Sequence, residues 1–127
     1  MKRILSAVLL MVMLLLFCSC ENSEEVTLVF REDGLDICQV LPPEDAQRVK
    51  DILSNMTFED LSFFVYSGCG FSPDVSIRIG NRIYGMAMDK CANVYSYSSF
   101  AYYGISQADR LYIESLFAQY GGYFPCV

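Results

Sequence analysis

With 127 residues, the sequence is long enough for one domain built on one core and too short for two. Its formal charge of −6 argues against nucleic acid as a partner. The complete absence of His removes the commonest general base, and with it every Ser–His or Cys–His nucleophilic pair.

The chain opens with Lys2 and Arg3, continues through an apolar run from Ile4 to Phe17, and reaches Cys18-Ser19-Cys20. The basic pair holds the amino end in the cytoplasm, the run partitions into the membrane, and small residues give a peptidase an extended backbone to grip. The apolar run falls short of the roughly 18 to 20 residues that a permanent spanning helix needs. Phe17-Cys18-Ser19-Cys20 resembles the lipobox of bacterial lipoproteins, with Ser19 matching the pattern, Phe17 standing where Leu is usual and Cys18 where a small residue is usual. The resemblance covers residues 1–20 only. It implies that residues 1–19 are a signal peptide, and that Cys20 receives the lipid and becomes the new amino terminus. Palmitate would label it there.

On this reading residues 20–25 are a lipidated tether, and residues 26–127 form a single domain on the extracytoplasmic side of the cell membrane. Removing Lys2 and Arg3 leaves seven basic residues against fifteen acidic ones, a net charge of −8. Attachment to the membrane should therefore rest on the lipid anchor rather than on a basic patch.

Val26 to Phe30 and Leu35 to Leu41 alternate in polarity around Glu32-Asp33-Gly34, which predicts a β-hairpin. Pro42 and Pro43 stop the second strand. Pro at a first helical position followed by Glu44 and Asp45 predicts a helix to about Asn55, with Ala46, Val49, Ile52, Leu53 and Met56 on its inner face. Leu61 to Tyr66 is aromatic and β-branched enough for a strand.

A second hairpin is predicted around Gly80-Asn81, with Ile79 opposite Arg82, Ile77 opposite Tyr84 and Val75 opposite Met86. One face of it then carries Val75, Ile77, Ile79, Tyr84, Met86 and Met88, and the other carries mostly small or polar residues, so the sheet should be covered on one side. Ser106 with Asp109 three positions later starts a last helix, and Gly121-Gly122 stops it. Its inner face is Ile113, Leu116, Phe117 and Tyr120. The expected fold is α+β: an antiparallel sheet built from two hairpins, with two helices on one face.

Cys38, Cys69, Cys91 and Cys126 follow the leader, and an exported compartment allows them to oxidise. Of the three possible pairings, Cys69–Cys91 with Cys38–Cys126 is favoured. The first bridge would clip the open end of the second hairpin, and the other would pin the apolar carboxyl-terminal tail. Zinc sites usually bring Cys pairs two to four residues apart, which this segment lacks, so no metal and no cofactor is expected.

Three features carry candidate chemistry. Asp89, at a strand end beside Cys91, is suited to capping the following turn. Arg78 and Arg82 flank the Gly80-Asn81 turn and offer either charge pairing or an anion contact. Tyr95, Tyr97, Tyr102 and Tyr103 lie among Ser, Ala and Gly, a composition that serves binding loops and equally serves strands packed on a sheet.

The expected function is a noncatalytic binding module, monomeric, recognising an envelope protein, peptide or polymer through these tyrosines and arginines. A structural envelope lipoprotein without a small ligand is the first alternative. A small carboxylate-dependent enzyme or enzyme accessory is the second.

Overall fold

The computed structural model describes residues 24–59 and 70–121. Their elements in chain order are β1 (Val26–Glu32), β2 (Leu35–Val40), α1 (Pro43–Ser54), β3 (Thr57–Glu59), β4 (Ser76–Ile79), β5 (Arg82–Met86), β6 (Asn93–Ser96), β7 (Ala101–Gly104) and α2 (Gln107–Gln119).

All seven strands join one antiparallel sheet in the order β2-β1-β4-β5-β6-β7-β3. The first hairpin turns through Asp33 and Gly34, both with positive φ (49° and 79°), the backbone that a two-residue turn between twisted strands requires. In the second hairpin Ile79 pairs with Arg82 and Ile77 with Tyr84, the register expected from its alternation, while Val75 lies just outside the ladder.

The sheet is larger than two hairpins. The Tyr/Ser segment forms a third, β6–β7, in which Val94 pairs with Tyr103 and Tyr95 with Tyr102. Strand β3 pairs with β7 at the far edge. It is only three residues long, Thr-Phe-Glu, too short for alternation to reveal. The strand expected over Leu61 to Tyr66 lies outside the described residues.

Both helices pack on one sheet face. Val49, Ile52 and Leu53 of α1 and Ile113, Leu116 and Phe117 of α2 share one buried cluster with Val26, Leu28, Phe30, Ile77, Tyr84, Met86 and Val94. Phe30 and Phe117 meet edge to face at 6.2 Å, so the sheet and α2 are joined by an aromatic pair as well as by buried area.

Helix α1 starts with Pro43, which has no N–H and so leaves one orphan donor fewer at an end that no side chain caps. Helix α2 is capped: Ser106 Oγ accepts from the Asp109 backbone N–H at 3.0 Å and donates to the Asp109 carboxylate at 2.7 Å. It ends at Gly121, with φ of 88°. Leu111 is exposed. Arg110 is buried instead, donating to the Cys91 carbonyl at 2.8 Å.

The opposite sheet face is not bare, and this corrects the expectation of a sheet covered on one side. Ser76, Gly85 and Ala87 point away from the helices and are nonetheless buried. Over Gly85 the cover is aromatic, and Ser76 Oγ donates to the Pro73 carbonyl at 2.8 Å.

Candidate functional site

On the face turned away from the helices, pairing aligns one continuous cross-strand row: Val29, Ser76, Gly85, Tyr95, Tyr102 and Glu59. Directly opposed residues in antiparallel strands share a face, so the row is a physical neighbourhood. Its centre is small, at Ser76 and Gly85, and its right-hand half is large, at Tyr95 and Tyr102.

The small centre makes room for a ring. Tyr97 lies over Gly85 so closely that a Cβ on that glycine would sit 2.9 Å from Tyr97 Cε2. Tyr97 meets Tyr95 edge to face at 4.8 Å, and Tyr95 meets Tyr102 at 4.9 Å. Phe71 completes the layer, 5.9 Å from Tyr95 and 5.6 Å from Tyr102. All four rings are half-buried. Burial, followed by the neighbouring Tyr95 and Asp74, pushes the Tyr97 phenol above its ordinary pKa, so its hydroxyl stays neutral and can both donate and accept.

The polar groups around the rings are held in place. Asn93 donates to Glu59 at 2.7 Å, across the intervening strand β7. Arg31 bonds Asp36 at 3.0 Å and approaches Asp74 at 3.5 Å. Arg78 stands exposed on this same face, opposite Ile83 in the neighbouring strand.

Strand alternation divides the residues that the sequence groups together. Tyr95, Tyr97, Tyr102 and Arg78 share the helix-free face. Tyr103 and Arg82 point to the other one: Tyr103 packs edge to face on Phe58 at 6.0 Å, and Arg82 bonds Glu24 at 2.6 Å. Phe71 is the member that sequence reasoning missed. In sequence it follows Gly68-Cys69-Gly70, far from the Tyr95–Tyr103 segment, and only the fold brings it onto the tyrosines.

Asp89 caps its own turn. Its Oδ1 accepts from the Cys91 backbone N–H at 2.7 Å, and its Oδ2 lies 3.2 Å from Cys91 Sγ. Other carboxylates are similarly engaged: Asp45 accepts from the Tyr112 hydroxyl and Asp109 from Ser106. Among the described residues no three Cys, Asp or Glu side chains gather as a metal-ligand set.

Cys38 is exposed on edge strand β2, and Cys91 sits in the β5–β6 connection. Strands β1 and β4 lie between β2 and β5, so the two cysteines are separated by three strand spacings or about 14 Å, well beyond disulfide reach. A direct Cys38–Cys91 bridge is therefore incompatible with the sheet order. Cys20, Cys69 and Cys126 lie outside the described residues.

Comparison with family models, with curated proteins and with solved structures finds no match for this chain.

Proposed function

We propose that this chain is an exported lipoprotein, anchored through Cys20 on the extracytoplasmic side of the cell membrane, whose domain binds an envelope protein, peptide or polymer on its helix-free sheet face. The observation that carries the binding reading is the aromatic layer of Phe71, Tyr95, Tyr97 and Tyr102, with Tyr97 lying over Gly85. Half-buried tyrosines present flat apolar area with polar tips at low entropic cost, and Arg78, Asp74 and Glu59 surround them with charge for orientation. The leader supports export. No described helix is long and apolar enough to cross a membrane, and the lipid at Cys20 would supply the attachment.

Two disulfides belong to the same reading. With Cys38–Cys91 ruled out, the favoured pairing remains Cys69–Cys91 with Cys38–Cys126. The Gly70 carbonyl accepts from the Met88 backbone N–H at 3.0 Å, which puts the residue following Cys69 in sequence against the connection that holds Cys91.

A structural lipoprotein is the second reading. It is favoured by the mutual ring contacts, which also serve simply to close the second face of the sheet. Capture from solubilised envelopes separates the two, using the wild-type protein, a Tyr97→Ser/Arg78→Glu variant and a Leu111→Ser variant on the opposite face. Binding through the helix-free face predicts a set of partners retained by Leu111→Ser and lost by Tyr97→Ser/Arg78→Glu. Identical recoveries from all three would leave the structural reading standing.

A further inference from the structure

We propose that the domain rests on the bilayer by one defined end of its sheet, the end that holds Glu24, the Gly80-Asn81 turn and the β6–β7 turn, with Phe100 entering the interfacial layer of a phospholipid membrane. This rests on the lipid anchor at Cys20.

Sheet pairing fixes which features share that end. Val26 pairs with Ile79, Ile79 with Arg82 and Tyr84 with Ser96, so the start of β1, the β4–β5 turn and the β6–β7 turn all project the same way. The Tyr97 backbone N–H donates to the Ile83 carbonyl at 3.0 Å, which brings the β6–β7 turn level with the start of β5. Four residues of chain join Cys20 to Glu24, a reach of at most about 14 Å even when fully extended. A lipid at Cys20 therefore holds this end, and not the opposite one, within a short distance of the headgroups.

The side chains at this end suit that neighbour. Phe100 caps the β6–β7 turn at 79% exposure with φ of 53°, the most exposed of the large apolar side chains among the described residues and in a backbone conformation unusual for a bulky residue. Aromatic residues at a membrane interface gain what a fully solvated ring loses. Lys50 lines a groove of about 430 Å³ between α1 and the β4–β5 turn, together with Asp51 and the Arg82–Glu24 pair, while Arg78 stands exposed on the other face of the same sheet end.

Charge is distributed to match. At the tether end Glu24, Glu25, Glu44, Asp45 and Asp51 are nearly balanced by Arg48, Lys50, Arg78 and Arg82. At the other end Glu32, Asp33, Asp36, Glu59, Asp74, Asp89 and Asp109 outnumber Arg31, Lys90 and Arg110. Leu35 is also exposed, but it sits at that acidic end, which an anionic bilayer repels.

The chain contains no Trp, so a single introduced indole reports its own position. The test uses the full chain expressed with its leader, purified from membranes and reconstituted in phosphatidylethanolamine–phosphatidylglycerol vesicles with brominated acyl chains. The Phe100→Trp protein should lose roughly half its emission and shift to the blue, as for a ring at the headgroup–acyl boundary, while Leu35→Trp should show neither. In the wild-type protein, amine labelling of Lys50 should fall on reconstitution and that of Lys90 should not. Palmitate labelling of the same preparations reports the anchor separately. A labelled protein in which both indoles are quenched equally, or Lys50 and Lys90 react equally, overturns the docking and spares the anchor. Loss of labelling at Cys20 overturns both.

Discussion

The Tyr112 hydroxyl of α2 donates to Asp45 Oδ1 of α1 at 2.7 Å, and the Arg48 guanidinium lies 3.7 Å above the same ring. One aromatic side chain thus joins the two helices through a hydrogen bond at its tip and a cation on its face. The Tyr112→Phe protein should lose about 1 kcal/mol, measured by urea unfolding near neutral pH.

The same contact sets a pH dependence. Burial, and then the hydrogen bond to Asp45, push the Tyr112 phenol up to about 12, against about 10 in an unfolded chain. Below pH 10 both states hold the proton and the contribution is complete. Between pH 10 and 12 the unfolded chain gives up its proton first, so stability falls as pH rises and the contribution is gone above the folded-state value. The gap in unfolding midpoint between wild type and Tyr112→Phe should therefore narrow over that interval, and a gap that stays constant to pH 12 would contradict the assignment.

Tyr97 over Gly85 predicts a packing defect. In Gly85→Ala the new methyl must displace a ring that Tyr95 holds from the side, outweighing the gain in strand propensity, for a net loss of about 1 kcal/mol. Near-ultraviolet circular dichroism should change along with the unfolding midpoint, because the tyrosine layer itself has moved.

Arg110 is the buried cation of α2, 4% exposed, bonded to the Cys91 carbonyl and 3.6 Å from Glu114, which is itself 39% exposed. Arg110→Leu strips the carbonyl of its donor and should cost about 1 to 2 kcal/mol. Glu114→Gln removes only a partly solvated partner and should stay within about 0.5 kcal/mol. Denaturant unfolding of the two variants gives the comparison.

Local signals made much of the fold legible. The Ile77–Tyr84 register followed from strict alternation around a two-residue turn, and the Ser106 cap from a spacing of three. Both depend on neighbours in sequence. What escaped depends on distant ones. Arg110 occupies an inner helical position where apolar residues are expected, and only the Cys91 carbonyl explains it. Phe71 joins Tyr95 and Tyr102 through a long return of the chain, and Glu59 reaches Asn93 across a strand that neither residue's sequence context announces. The tyrosines could be identified as a group, but Tyr103 could not be separated from Tyr102 until β6 and β7 were known to be paired strands, since neighbours in a strand face opposite ways.

Occupancy of the aromatic face is the central claim, and hydroxyl-radical footprinting tests it directly. The protein is labelled in intact envelopes and again after purification, comparing Phe71, Tyr95, Tyr97 and Tyr102 with Leu111 and Phe58, which are exposed elsewhere. A bound partner predicts that labelling of the four rings falls in envelopes while Leu111 and Phe58 react equally in both. Equal labelling of the four rings in the two preparations would contradict it, and would leave that layer as the second wall of the core.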